Sequence, residues 1–383
     1  MRSATAIIVL CLAPLVCASA VAGDEEAITT TRLTERIYQL STDQGEYTTN
    51  TLVSVGDDGV LVVDTQTRDV AEELKGVIEG FGRGAPKLII NTHRHIEHVG
   101  GNAIFGDEPI IIAHELVRSE LRSGGYLFEE LPDAALPDIT FDHSLKLYFN
   151  GEEIRLIAMP GSHDDNEIIV HFTDSKVVHL SSLVNGFNFP SVDSAGNALA
   201  FPEVIAKALE VLPEDVVIVS GHNANGTMDD LRTYHAMMVA TIAAVREGLA
   251  SGKDVATLKK EGVLDQWSSY AGSYVSTDEW IDTVAKAISS NGEAPKPKVF
   301  ESLYHAYKAD GAEAAVGLYH QLEEQHPDEY DFNDVDLLVI GMKLEDRGDH
   351  RSAVPFLEAS LEEHPDHQYS YYAAYQLARA QQA

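Results

Sequence analysis

Cysteine is almost absent from this chain. Its two copies, Cys11 and Cys17, both lie in an apolar N-terminal stretch. Removal of that stretch would leave no disulfide, no thiolate metal ligand and no cysteine nucleophile. Positive charge is scarce as well: 27 Lys and Arg face 61 Asp and Glu, for a formal charge of −34. A field of that sign repels nucleic acid and anionic membrane surfaces, which excludes both as partners. Charge of either sign is missing from residues 3–23, behind the single Arg2. The run Ile7 to Leu12, the break at Pro14 and the small residues Ala18-Ser19-Ala20 and Ala20-Val21-Ala22 read as a cleaved leader over residues 1–22. The expectation is an exported protein, periplasmic or secreted, with no membrane anchor once the leader is gone.

What remains is long enough for two units. From about residue 30 the chain alternates short β-rich runs with helical spacing. Arg36–Leu40, Thr51–Val55 and Gly59–Asp64 read as strands, with Asp57-Asp58-Gly59 as a hairpin turn. Residues 69–80 carry the 3.6-residue apolar period, and Lys87–Asn91 is a short buried strand that runs straight into His93. Strand pairs at 144–149 and 153–158, and at 168–172 and 177–180, continue the pattern. A helix over 202–212 and a strand over 215–220 then deliver Gly221-His222. Two sheets under outer helices satisfy this order.

Residues 291–298, rich in Pro, Gly and charge, read as a linker. Beyond it the spacing is all helical. Residues 314–327 resemble residues 352–365 at an offset of 38, which predicts stacked helical hairpins. Gly341, Gly348, Ala353 and Pro365 resemble a tetratricopeptide repeat in their spacing. The expected division is a leader over 1–22, a sheet-bearing domain over 23–290, a linker over 291–298 and a helical module over 299–383 that offers a surface to a protein partner.

The chemistry is concentrated in Asn91-Thr-His-Arg-His-Ile-Glu-His-Val-Gly-Gly-Asn102. Three histidines in six residues after an apolar strand are costly unless they serve as ligands, and neutral imidazole is the commonest metal ligand. His114, His143 and His179, and the six histidines beyond residue 300, sit in contexts that suit structural or surface roles. The stretch from Asn91 resembles the metallo-β-lactamase superfamily signature Thr-His-x-His-x-Asp-His. Pro160-Gly-Ser-His163-Asp-Asp-Asn-Glu167, Val219-Ser-Gly-His222 and the Gly59–Asp64 strand are similar to other segments of the same family. The resemblance implies an α+β fold, a four-layer αβ/βα sandwich followed by the small all-α helical module. It places a first metal on His93, His95 and His163, and a second on Glu97, His98 and His222. Asp64 would support the metal loop.

Two departures from the family stand out. Glu97 occupies the place of the signature aspartate, and Ser182 occupies the place of the bridging aspartate. The nearest acid, Asp193, would need an unusual loop to substitute. The resemblance therefore implies one zinc on the three histidines, with the second site weakened, and iron as an alternative metal. The activity implied is hydrolysis of an ester, lactone, lactam or related bond by metal-bound hydroxide, with Glu97 as general base and a small molecule as substrate. The alternatives are a non-catalytic binding protein of this fold and an iron-dependent dioxygenase of this fold. Gly125–Phe128 and Phe187-Asn188-Phe189 are expected to supply an apolar wall of the cleft.

Overall fold

The computed structural model describes residues 28–381 apart from 44, 46, 125–130, 194–195, 273, 291–295, 297–298, 331, 333–335, 364 and 366–369. The expected leader, most of the expected linker and Gly125–Phe128 lie outside the described residues. The first sheet has seven strands in chain order: β1 (Ile28–Arg32), β2 (Ile37–Asp43), β3 (Thr48–Gly56), β4 (Gly59–Val63), β5 (Pro86–Ile90), β6 (Ile110–His114) and β7 (Ile139–Phe141). Strands β1 to β4 pair antiparallel as hairpins and β4 to β7 pair parallel. The parallel half needs crossovers, and helix α1 (Arg68–Glu79) supplies the first of them. The second sheet orders β12 (Val217–Val219), β11 (Val177–His179), β10 (Ile168–Phe172), β9 (Glu152–Ala158) and β8 (Ser144–Phe149).

Side-chain alternation explains the layering. On β3 and β4, Leu52, Leu61 and Val63 face one way and join Ile154, Leu156, Val170 and Phe172 between the two sheets. Their neighbours Val53, Val60 and Val62 face the other way and bury Leu74 and Ile78 of α1. The second sheet repeats the arrangement. Ile169, Val178 and Ile218 turn outward beneath helices α4 (Phe201–Val211), α5 (Met228–Ala250) and α7 (Thr277–Ser289). The result is helix, sheet, sheet, helix: the four-layer α+β sandwich. Between those elements run α2 (Ile96–Val99), α3 (Glu115–Ser123) and α6 (Val255–Lys260). The short α2 is followed by one 3-10 turn over Asn102–Phe105.

Five helices follow: α8 (Phe300–Asp310), α9 (Ala312–Gln325), α10 (Asp336–Asp346), α11 (His350–Glu363) and α12 (Ser370–Ala380). They pack as two hairpins, α8 on α9 and α10 on α11, with α11 also meeting α9 and α12. They share a core of their own that includes Tyr304, Ala315, Tyr319, Ala353 and Phe356. No described helix is long and apolar enough to cross a membrane.

Candidate metal centre

The site is assembled where strands end. Strand β4 stops at Val63, and Asp64 takes a left-handed backbone (φ 67°), which turns its buried carboxylate toward the end of β5. There Oδ1 accepts from the Thr92 amide at 2.8 Å, and Oδ2 accepts from the Thr92 hydroxyl at 2.8 Å and faces His98 Nδ1 at 2.7 Å. One carboxylate thus fixes both ends of the histidine loop. A pair of buried amides locks its far side, with Asn102 Nδ2 donating to Asn91 Oδ1 at 2.8 Å. Gly101 passes so close to the Thr65 carbonyl that a Cβ there would lie 2.2 Å from that oxygen. Gly221 is held the same way, its Cβ position 2.6 Å from the Ser181 carbonyl oxygen. This close approach lets the His222 loop bond to β3, where the Asn50 amide donates to the Gly221 carbonyl at 2.9 Å.

Each imidazole is held from behind and presents its other nitrogen forward. His163 Nδ1 donates to the Ser191 carbonyl at 2.9 Å. The back nitrogen of His95, Nε2, meets Asp193 Oδ2 at 2.9 Å. His222 Nδ1 lies 3.1 Å from the Tyr274 hydroxyl and 3.3 Å from both Thr49 Oγ1 and the Thr48 carbonyl. His93 Nδ1 faces the hydroxyls of Thr92 and Ser181, each at 3.2 Å. The forward nitrogens converge. His95 Nδ1 is 3.3 Å from His163 Nε2, and His98 Nε2 is 3.2 Å from His222 Nε2. Two imidazoles on one tetrahedral zinc, with bonds of roughly 2.0–2.1 Å, bring their nitrogens to roughly 3.3 Å. His93 Nε2 is buried with no hydrogen-bond partner, which is costly for a polar atom unless it is a ligand. The donors form two groups, His93 with His95 and His163, and Glu97 with His98 and His222. Within each group the ligand atoms lie within 4.8 Å of one another. The residues present fit a metal.

Electrostatics divide the histidines. Burial takes His163 and His222 down to about 3, and burial with its histidine neighbours holds His93 well below its ordinary value. These three are ready-made neutral donors. Burial also opposes charge on His95, but Asp193, Glu97 and Asp164 overcome it and raise the group to about 9. His98 is likewise raised, with Asp64 prevailing over burial. Glu97 is pulled down to about 2, because His95, His98 and His222 outweigh its burial.

The remaining expected residues fall into place around this centre. Ser182 Oγ is 3.5 Å from His98 Nε2, and its amide donates to Glu167 Oε1 at 2.8 Å. Asp193 stands behind His95, where Arg94 pairs with it at 2.7 Å and with Glu120 at 2.6 Å. The acids grouped with His95, Asp164 and Asp193, are therefore partners of a guanidinium. His179 donates to the Asn50 carbonyl at 3.0 Å and His114 to that of Asp142 at 3.0 Å, both structural tasks. His320 and His350 pair with Glu363 and Glu345 of their own module. The part of the expected apolar wall at Phe187-Asn188-Phe189 needs correction. Phe189 is fully buried and stacked on Trp280 at 6.0 Å, and Phe187 lies edge-on to Tyr234 at 5.9 Å. Phe189 is turned into the core beneath α5 and α7, and the half-buried Phe187 packs against its edge.

Two features carried no signal in the sequence. Tyr47 and Tyr274 sit 4.7 Å apart at their ring centroids, beside His222 at 5.5 and 5.2 Å. They come from a strand start and a loop that are distant in sequence and carry no motif. Lys343, on α10, lies within electrostatic reach of Glu97, Asp193 and Arg94; burial dominates and lowers it to about 8.

A family model described as the metallo-beta-lactamase superfamily matches residues 44–222. An N-acyl homoserine lactonase of Bacillus cereus is 26% identical over 141 residues, which is 35% of this chain and 55% of that protein. The chain thus spans about half the length of this relative. Among solved structures, a metallo-beta-lactamase from Pontibacter korlensis is 19% identical, with a TM-score of 0.48 over 55% of this chain and 99% of its own. The DIM-1 metallo-beta-lactamase is 18% identical, with a TM-score of 0.47 over 56% of this chain and 97% of its own. With its motifs in family order on a four-layer sandwich, this chain matches the metallo-beta-lactamase superfamily over residues 44–222.

Proposed function

We propose that this protein is an exported metal-dependent hydrolase that opens an ester, lactone, lactam or related bond in a small molecule. The observation that carries the reading is the convergence of forward imidazole nitrogens, each with its back nitrogen held by a named partner. His93, His95 and His163 would hold the primary ion. A bound zinc supplies a Lewis acid and acidifies water toward neutral pH.

The chain's own residues do the rest. Asp193 fixes the His95 ring, and Asp64 fixes His98, so the ligands need little reorganisation when the site loads. Glu97, ionised over the whole neutral range, is a weak proton acceptor at equilibrium. Its role is to accept a hydrogen bond from the attacking water and orient it. Tyr47 and Tyr274 provide an aromatic face beside His222 for the apolar part of a substrate. The curated lactonase relative makes lactones the first substrates to test.

Arg2, the apolar run and the small residues before Asp24 support export to the periplasm or the exterior. The two helical hairpins support a tetratricopeptide-like module that docks a protein partner. The test of the central reading is lactone, ester and lactam hydrolysis by the metal-loaded full chain and by His95→Ala. Wild-type turnover that drops to background in the variant is expected. Turnover retained by the variant would refute the assignment.

A further inference from the structure

The family's bridging acid is serine in this chain, which leaves two groups of ligands with no obvious carboxylate between them. We propose that Glu97 bridges two metal positions. It would combine the ligand role of the signature aspartate with the role of the acid that Ser182 replaces. This rests on the metal-centre reading and adds to it a second ion and its link to the first.

The geometry is specific. A single oxygen, Glu97 Oε1, lies 3.8 Å from His95 Nδ1, a forward nitrogen of the first group, and 3.9 Å from His222 Nε2, a forward nitrogen of the second. Among the described residues, no other carboxylate stands within 4 Å of forward nitrogens of both groups. Asp64 is behind His98, Asp164 and Asp193 are on the Nε2 side of His95, and Glu167 faces His93 Nδ1 at 3.7 Å. The remaining neighbour, Ser182 Oγ, is neutral and cannot offset a dication. Glu97 is the second residue of the short helix α2, whose N-cap is His95. From that position the extra methylene extends its reach by roughly 1.5 Å, the length of one carbon–carbon bond. The two departures from the signature, Glu97 and Ser182, thus become one compensated change. The longer acid fills from one side the space that the bridging aspartate would fill from the other. Five neutral imidazoles offer no negative charge to two dications, so a shared carboxylate is best placed where both ions feel it.

The test uses the full chain, stripped of metal and titrated with Mn²⁺, with stoichiometry from elemental analysis and coupling between ions from electron paramagnetic resonance. Two ions per wild-type chain with a spin-coupled signal are expected. Glu97→Gln should lose the coupling and weaken the second ion at least tenfold. Glu97→Asp should retain a second ion but lose the coupling, because the shorter acid cannot reach both groups. One ion per wild-type chain, or two ions without coupling, overturns the bridge and leaves the three-histidine centre standing. No ion at all overturns both. Coupling that persists in Glu97→Gln also overturns the bridge. The wild-type measurement decides even where a variant fails to fold.

Discussion

At the scale of residues, two of the five histidines differ from the rest in how readily they hold a proton. His95 is raised to about 9 and His98 is also raised, each by a carboxylate at its back, while His93, His163 and His222 are held neutral. A metal binds only the deprotonated forward nitrogens of His95 and His98. Loading at pH 7 should therefore release about one proton per chain from His95, and apparent affinity should fall as pH drops below about 9. Zinc titration in two buffers of different ionisation enthalpy checks this; no proton release would contradict it. Asp193→Asn keeps the size of the side chain but removes the charge behind His95. It should weaken metal binding by roughly 10–100-fold, read by competition with a chromophoric chelator. The five histidines and Glu97 were legible in the sequence because they sit in compact motifs. Asp193 was not, because its role depends on a loop that folds back behind His95 and brings Arg94 with it.

At the scale of elements, strand ends do most of the positioning. Strands β4 and β5 stop at residues 63 and 90, side by side in a parallel pair, and the next residues of each form the Asp64–Thr92 contact. That much follows from alternation and from a buried strand that runs into a histidine, and the strands and helices α1 and α4 lie close to their expected places. The short helix α2 and its 3-10 continuation were less legible. Gly100 and Gly101 are where the loop passes under Thr65, a close approach that depends on the fold and has no sequence pattern. A methyl group on Gly101 would meet both the Thr65 carbonyl and the Ala71 side chain, at 2.2 and 2.7 Å. Gly101→Ala should cost about 1–3 kcal/mol in chemical denaturation and lower metal occupancy with it. A variant as stable and as metal-rich as the parent would show that this crossing is loose.

At the scale of the whole molecule, the helical module contributes a charge to the centre. Lys343 lies within electrostatic reach of Glu97 and Asp193. Nothing in the sequence marked it, since a single lysine on a helix has no motif and Arg94, Glu97 and Asp193 are distant from it in sequence. Its position predicts a preference for anionic substrates. Lys343→Gln should lower kcat/KM for a carboxylate-bearing lactone several-fold more than for a neutral one. Equal losses on both would assign Lys343 to packing alone. The fall of that preference as pH rises through about 8, where Lys343 loses its proton, is the accompanying signature.

The most direct test of the account is lactone hydrolysis by the full chain as purified, after chelator stripping, and after zinc is returned. The account predicts turnover that disappears with the metal and returns with it. Turnover that survives complete stripping, or a zinc-loaded protein that hydrolyses no lactone, ester or lactam, would contradict it.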